Sequence, residues 1–154
     1  MPVREAEVTD ADEICALIEE HARYEGNDTL VLDRAEMTKH LFGPAPKAWV
    51  LIAEPPGEPG RTAGFAFCSW NFSTWEGRPG IWLDDLFIRP EYRRSGLGRE
   101  LLNALRARTS GRVEWDMQAG NDKAAAFYAE LGAEPAPGWI RYRWRARGRQ
   151  SGQE

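Results

Sequence analysis

The spacing of apolar and polar residues changes several times along the chain, and each change predicts a strand or a helix. Short apolar or alternating runs between glycines and prolines are typical of strands, whereas apolar residues three and four positions apart are typical of helices. These patterns predict strands at residues 2–8, 48–54, 62–70, 80–89, 112–117 and 139–147. They predict helices at residues 9–24, 33–42, 96–109 and 121–131.

The order of these elements predicts a mixed, half-open sheet with helices on both faces. Asp33 with Glu36 forms the capping-box pattern that opens the second helix, and Gly43 ends it. Gly132 ends the fourth helix in the same way. In such a fold, the late turns that lead from a strand into a helix are natural ligand sites.

Composition places the chain among ordinary soluble globular proteins. Its 154 residues are 42% hydrophobic and 29% charged, and we expect one domain at 1–148 with a short flexible tail at 149–154. The formal charge of −4 gives no general attraction to nucleic acid or to an anionic membrane. The sequence has no run near the roughly 18 apolar residues of a membrane helix and no signal-peptide pattern. We therefore expect a cytoplasmic protein with neither membrane nor nucleic acid as partner.

Cysteine and histidine usage predicts neither a disulfide framework nor a metal site. The chain has two cysteines and two histidines, without the spacing of zinc ligands. We expect Cys15 and Cys68 to be reduced and packed as small apolar residues. His21 and His40 are predicted to be packing or surface residues.

Two adjacent carboxylates, Asp84 and Asp85, interrupt the apolar strand predicted at residues 80–89. Neighbouring side chains on a strand point to opposite faces. At least one of these carboxylates should therefore face a polar cavity or a partner, because burying an unpaired charge is unfavourable.

The turn Arg93-Arg94-Ser95-Gly96-Leu97-Gly98 leads from that strand into the third helix. Glycines allow close approach of a ligand to the backbone, and the first N–H groups of a helix bind anions such as a pyrophosphate. A dinucleotide fingerprint would need a third glycine where Leu101 stands, and the Gly-Lys-Ser/Thr of a P-loop is absent. The alternative is a helix start that merely packs against the sheet.

This Arg-x-x-Gly-x-Gly turn, preceded by Pro90-Glu91-Tyr92, resembles the coenzyme A pyrophosphate loop of the GNAT superfamily of N-acetyltransferases. Further segments occur in the order seen in its spermidine/spermine (diamine) N-acetyltransferase branch, which includes thialysine-acetylating relatives. They are Ala22-Arg23-Tyr24-Glu25, Leu83-Asp84-Asp85-Leu86-Phe87-Ile88, Asn121, Phe127-Tyr128, Leu131-Gly132-Ala133 and Gly138-Trp139. The resemblance covers roughly residues 3–144.

The resemblance implies a mostly antiparallel, half-open sheet of about seven strands, an acetyl-CoA cosubstrate without a metal, and a homodimer. It assigns Tyr128 and Asp84 to catalysis, and Tyr24, Glu25 and Asp84 to the amine. It assigns to acetyl-CoA the residues Leu86, Phe87, Ile88, Arg93, Arg94, Ser95, Gly96, Leu97, Gly98, Arg99, Asn121, Asp122, Lys123 and Ala124.

Acetyl transfer from a thioester to an amine poses two proton problems that these residue types can solve. An alkyl ammonium with a pKa of about 10.4 must lose a proton, which a carboxylate such as Asp84 can accept directly or through water. The leaving thiolate, with a pKa near 8.5, needs a donor that is still protonated at neutral pH, such as Tyr128. Alternatively, Asp84 pairs with an arginine and Tyr128 is a core aromatic. Direct attack in a ternary complex is favoured, since Cys68 has no evident activating histidine.

The sequence differs from the diamine N-acetyltransferase branch at several positions, so the resemblance does not fix which amine is the acceptor. Asp84 stands for a glutamate, and Thr74, Pro137 and Gly120 stand where an aspartate, a glutamate and a tryptophan would be expected. A smaller diamine, a thialysine-like amino acid or an aminated metabolite fits as well as a polyamine. The alternatives are a coenzyme A-sensing or partner-binding module without activity, or an acetyltransferase acting on a protein or another amine. Basic and aromatic residues alternating from Arg141 to Arg147 raise single-stranded nucleic acid as a weaker alternative.

Overall fold

The computed structural model describes residues 2–148, which divide into two compact units, 2–116 and 117–148. The first unit holds strands β1 (Val3–Glu5), β2 (Trp49–Ala53), β3 (Gly64–Ser73), β4 (Arg78–Ile88) and β5 (Val113–Glu114), and helices α1 (Ala11–Tyr24), α2 (Arg34–Phe42) and α3 (Leu97–Ala107). The second unit holds α4 (Asp122–Glu130). The expected single domain at 1–148 stays a prediction, and the expected tail at 149–154 lies outside the described residues. Within residues 2–148, no helix is long and apolar enough to cross a membrane.

The strands form one open sheet in the order β1-β2-β3-β4-β5. Neighbouring strands from β1 to β4 are antiparallel, whereas β5 runs parallel to β4, with Ile81 opposite Val113 and Trp82 opposite Glu114. The expected class, a mixed and mostly antiparallel sheet with helices, is therefore confirmed. The expected count of about seven strands is wrong, because the described sheet has five.

The strand predicted at residues 139–147 is one source of this error, since this segment has no regular secondary structure. Its aromatic side chains stand in solvent, with exposed fractions of 74% at Trp139, 91% at Tyr142 and 100% at Trp144. A strand needs a neighbour for its backbone hydrogen bonds, and alternation in the sequence does not supply one. The strand predicted at 112–117 likewise shrinks to the two residues of β5.

The first predicted strand, at residues 2–8, is also shorter than expected. It ends at Glu5, and Val8–Asp10 forms a 3-10 turn. The Asp10 carboxylate accepts hydrogen bonds from the Glu7 N–H at 2.7 Å and from the Arg4 guanidinium at 2.8 Å. These contacts close the turn and lead the chain into α1.

Helices cover both faces of the sheet, as expected. On one face, Ile14 and Leu17 of α1 pack in a buried cluster with Val50 and Ile52 of β2. Leu51 lies between those two residues and points to the opposite face, where α3 contacts strands β1 to β4. α3 buries Leu97, Leu101, Leu102 and Leu105. Each buried leucine contributes about 2 kcal/mol, and together they fix the start of α3 beside β4.

The predicted cap of α2 forms only in part. The Asp33 carboxylate accepts a hydrogen bond from the Glu36 N–H at 3.0 Å, and Gly43 follows the last residue of the helix. The Glu36 carboxylate contacts His40 at 2.9 Å on the next turn of the helix. One half of the capping box is therefore sufficient to start α2.

Candidate active site

An extra residue in β4 interrupts its pairing with β3 at the two adjacent carboxylates. Phe67 lies opposite Asp85, whereas the next residue of β3, Cys68, lies opposite Leu83. Asp84 therefore has no counterpart on β3, which defines a β-bulge, and its side chain is exposed. Bulges twist a strand and redirect its side chains, so they are common beside active sites. Asp84 is therefore one carboxylate of the pair that stays out of the apolar interior.

Beyond the bulge, one edge of β4 has no neighbouring strand within the described part of the first unit. Pairing with β3 continues up to Gly64 opposite Ile88, whereas pairing with β5 covers Ile81 and Trp82. The backbone of Leu86, Phe87 and Ile88 therefore faces that edge without a strand beside it. Such an edge can bind an extended ligand through strand-like hydrogen bonds.

Arg89 fixes the end of β4 to α1. Its guanidinium donates to both carboxylate oxygens of Glu20 at 2.9 Å and to the Thr62 carbonyl at 2.8 Å, and it forms an ion pair with Glu13 at 2.7 Å. The hydrogen bond to Glu20 is the largest cause that raises the pKa of Arg89 above its usual value. This permanently charged group holds the strand against the helix that ends at Tyr24.

Arg93 connects the following loop to two aromatic rings. Its Nε donates to the Ile88 carbonyl at 2.8 Å, and its guanidinium carbon lies 4.2 Å from the centroid of the Tyr24 ring. The same carbon lies 5.6 Å from the centroid of the Phe87 ring. A cation over an aromatic face gains about 0.5–2 kcal/mol. The side chain of Arg93 thus lies against the end of α1, and its expected contact with a pyrophosphate stays a prediction.

Two residues just before α3 have a left-handed backbone conformation. Arg94 has a φ of 63°, and Gly96, the N-cap residue of α3, has a φ of 84°. The Ser95 hydroxyl donates to the Tyr92 carbonyl, and Leu97 is buried. Glycine adopts a left-handed φ without the clash that a Cβ brings, so Gly96 suits this position.

The loop and the first turn of α3 bring several hydrogen-bond donors together. The N–H groups of Leu97 and Gly98 are the first of the helix, where no carbonyl one turn earlier within the helix can accept from them. They lie at the end of the helix where the dipole is positive. The side chains of Arg94, Ser95 and Arg99 are exposed around them. This arrangement suits a diphosphate.

His21 joins α1 to the bulge, a connection that the sequence analysis missed. Its Nδ1 lies 3.4 Å from Oδ1 of Asp85, and its Nε2 lies 3.4 Å from Oε1 of Glu25. Its ring stacks on Phe87 with a centroid distance of 5.1 Å. Burial lowers the pKa of His21, but Asp85 and Glu25 outweigh it and hold the pKa above its ordinary value. The four-residue spacing from His21 to Glu25, beside Tyr24, was the available signal.

In the second unit, α4 carries the remaining predicted site residues. Asn121 caps the helix, since its Oδ1 accepts from the Ala124 N–H at 3.1 Å. Gly132, with a φ of 86°, follows the end of the helix as expected. Tyr128 is partly buried, and its ring centroid lies 5.5 Å from that of Phe127. Asp122 and Lys123, the first two residues of the helix, are exposed. Ala124 and Tyr128, one turn apart, share a face of α4.

Both cysteines are buried thiols outside any disulfide. Burial raises the pKa of Cys68 to about 12, and the charge of Asp84 adds to this effect while that of Arg108 opposes it. Burial also raises the pKa of Cys15. The thiolate is the nucleophilic form of cysteine, so Cys68 is unsuited to attack a thioester at neutral pH. The structure shows no cluster of three or more candidate metal ligands among residues 2–148.

Comparison with known proteins identifies the family. The model of the acetyltransferase (GNAT) family matches residues 11–133. The chain belongs to the GNAT family. Thialysine N-epsilon-acetyltransferases of Bos taurus and Sus scrofa are 30% and 32% identical to this GNAT protein over 155 aligned positions, which cover 92% of this chain and 91% of each relative. A possible acetyltransferase from Clostridium difficile 630 has the same fold, with a TM-score of 0.77, 20% identity, and coverage of 94% of this chain and 96% of that one.

Membership of the GNAT family establishes the general activity. The protein is an acetyl-CoA-dependent N-acetyltransferase, as the resemblance implied. The family match runs from the first residue of α1 to the residue after Gly132, so every predicted site residue lies inside it. The loop before α3, the bulge in β4 and α4 therefore all lie within the residues that the family model matches.

Proposed function

We propose that this GNAT enzyme acetylates the primary amine of a small molecule, and that the amine attacks acetyl-CoA directly within a ternary complex. The proposed acceptor is a polyamine, a diamine or a thialysine-like amino acid. The layout of β4 carries the proposal: Asp84 and Asp85 at a bulge, then an open backbone edge, then the loop that opens α3. In this proposal, the amine, the thioester and the diphosphate bind at these three places in this order.

In this proposal, the open edge and the loop bind acetyl-CoA. The backbone of Leu86, Phe87 and Ile88 holds the pantetheine arm and the acetyl carbonyl. The first turn of α3 and the side chains of the loop from Arg93 to Arg99 hold the pyrophosphate, which the exposed donors there support. The resemblance also assigns Asn121, Asp122, Lys123 and Ala124 to the binding of acetyl-CoA.

Asp84 serves as the proton acceptor for the amine. At pH 7, forming the neutral amine from an ammonium with a pKa of about 10.4 costs roughly 4–5 kcal/mol. Tyr24 and Glu25 contact the amine substrate, and Asp84 takes the proton of the reacting ammonium directly or through water. Exposure of Asp84 at the bulge, on the strand whose continuation binds the thioester, supports this role.

Tyr128 serves as the proton donor to the departing thiolate of coenzyme A. A phenol with a pKa near 10 remains protonated at neutral pH. It can therefore donate a proton to the departing thiolate, whose thiol form has a pKa of about 8.5. The resemblance supports this role for Tyr128. Direct attack without a cysteine intermediate is supported by Cys68, whose pKa of about 12 keeps it a thiol.

The same proposal makes the enzyme a homodimer in the cytoplasm, where Cys15 and Cys68 stay reduced. The resemblance supports the dimer, and light scattering of the purified protein tests it.

Two relatives about 30% identical over nine-tenths of their length are named for thialysine. Their names favour an acceptor that carries its amine on the side chain of an amino acid.

The test of the proposed function is thiol release from acetyl-CoA in the presence of spermidine, putrescine, thialysine, lysine or ornithine. We expect saturable release with at least one of these amines, and saturable heat on titration with desulfo-coenzyme A. Peptides with free lysine amines form a separate arm for a protein acceptor. Binding of coenzyme A without release by any small amine would overturn the proposal and favour a coenzyme A-sensing role.

A further inference from the structure

The imidazole of His21 lies between two carboxylates beside the bulge in β4. It stands 3.4 Å from Asp85 on one side and 3.4 Å from Glu25 on the other, and its ring stacks on Phe87. The exposed fractions of the three side chains are 20% for His21, 30% for Asp85 and 40% for Glu25. This partly desolvated group is therefore positioned to control the charge of both carboxylates.

The groups around His21 come from three parts of the fold. Asp85 and Phe87, which contact His21, belong to β4, and Glu25 follows the last residue of α1. Tyr24 of α1 and Arg93 of the loop approach the same Phe87 ring, at 6.3 Å and 5.6 Å from its centroid. When His21 is protonated, its positive charge lies 3.4 Å from each of the two carboxylates. When His21 is neutral, both carboxylates lose that neighbouring charge.

We infer that His21 is a specificity-determining positioning residue, which sets how much of the charge of Asp85 and Glu25 is available to a second, non-reacting ammonium of the acceptor. This inference rests on the proposed function, because it requires the amine to bind where α1 ends against β4. Protonated His21 occupies both carboxylates and competes with the distal ammonium. Neutral His21 releases them, so an acceptor with a distal positive charge binds more tightly.

The expected size of the effect follows from Coulomb's law. A unit charge within several ångströms of a distal ammonium, in the intermediate dielectric of a protein surface, changes its binding by roughly fivefold to twentyfold. A monoamine such as butylamine has no second charge and should escape the effect. Putrescine has the same reactive group with a second ammonium, so the two amines form a matched pair.

The experiment measures kcat and KM for both amines between about pH 5.5 and 8.5, where histidine titrates. For the wild type we expect the KM for putrescine to fall about tenfold as pH rises through the pKa of His21. The kcat for putrescine should change with pH only as much as the kcat for butylamine does. His21→Phe retains the stacking on Phe87 and removes the charge, so its KM for putrescine should be low at every pH. His21→Gln tests the same point with a polar side chain. His40→Gln is the control, since His40 also contacts a glutamate four residues away but lies on α2.

A KM step that persists in both His21 variants, or a loss of kcat with KM unchanged, would overturn the inference and leave His21 a structural residue. A wild type that acetylates neither amine would overturn the choice of acceptor separately.

The NMR titration of the His21 imidazole, with and without diamine, is an independent test. A bound diamine must lower the pKa of His21, because His21 protonation and diamine binding are linked. An unchanged His21 titration at the highest soluble putrescine concentration contradicts the inference, whatever the activity.

Discussion

Arg93 lies over the exposed ring of Tyr24, with its guanidinium carbon 4.2 Å from the ring centroid, while its Nε donates to the Ile88 carbonyl at 2.8 Å. One side chain therefore joins the end of α1, the end of β4 and the loop that opens α3. In the proposed reaction, these three places hold the amine, the thioester and the diphosphate. A change at Arg93 should consequently affect both substrates.

Replacing Arg93 by alanine removes the hydrogen bond to Ile88 and the cation over Tyr24. We expect kcat/KM to fall about tenfold for both acetyl-CoA and the amine, which corresponds to about 1.4 kcal/mol. Arg93→Lys should lose nearly as much, because an ammonium cannot reproduce the planar stacked contact. Arg61→Ala, at an exposed arginine between β2 and β3, is the control in steady-state kinetics. An effect confined to acetyl-CoA would indicate a phosphate contact alone.

Gly96 provides a test of the left-handed start of α3. An alanine at a φ of 84° should cost about 1 kcal/mol in the free energy of unfolding and should shift the first N–H groups of the helix. Gly57, with a φ of 78° in the loop between β2 and β3, is a matched control, since a Cβ at either glycine meets nothing within 4 Å. Urea denaturation should show similar losses for both variants. Calorimetry should show weaker coenzyme A binding for Gly96→Ala alone, and equal affinities would contradict the proposed role of the loop.

The elements that the sequence predicted well are those whose signals are local. α1 and α3 bury an apolar face at helical spacing, and α2 and α4 begin at the side-chain caps of Asp33 and Asn121. The glycines before α3 and after α4 have left-handed backbone. Glycine adopts this conformation readily, so the residue type alone predicts it. The loop and the helix it opens could therefore be predicted from the residues of that segment alone.

The features that the sequence did not predict depend on pairing between distant segments. Asp84 and Asp85 indicated a polar site, but the bulge arises from the register of β3, and the contact of His21 with Asp85 joins residues 64 positions apart. The strand predicted at 139–147 failed for the same reason, because its alternation carries no information on a partner strand. Register and pairing are set by the whole sheet.

Asp84→Asn tests the proposed proton acceptor. An amide cannot take the proton of the ammonium, so we expect kcat/KM for the amine to fall about 100-fold with the affinity for coenzyme A unchanged. Asp84→Glu, which keeps the carboxylate one methylene further out, should stay within about tenfold of the wild type. Asp28→Asn, at another exposed carboxylate, controls for loss of charge. Nearly full activity of Asp84→Asn would move the proton acceptor to another group.

Tyr128→Phe tests the proposed proton donor while it preserves the ring beside Phe127. Loss of the hydroxyl should lower kcat about tenfold to 100-fold, because the thiolate then leaves without a proton, and should leave the dissociation constant of coenzyme A within about twofold. Single-turnover measurements separate this step from product release. Tyr142→Phe, at an exposed tyrosine, serves as the comparison. A matching fall in coenzyme A affinity would make Tyr128 a binding residue.

The stability of the fold should itself depend on the protonation of His21. Burial opposes the charge of His21, but Asp85 and Glu25 outweigh burial, so its pKa is higher in the folded chain than in the unfolded one. The stabilisation is therefore fully present below the unfolded pKa of about 6.5 and is lost as pH rises through the folded pKa. We expect the free energy of unfolding in urea to fall by on the order of 0.5 kcal/mol between about pH 6 and 8. The decrease should be absent from His21→Phe and retained in His40→Gln, and an equal decrease in His21→Phe would assign the titration to another group.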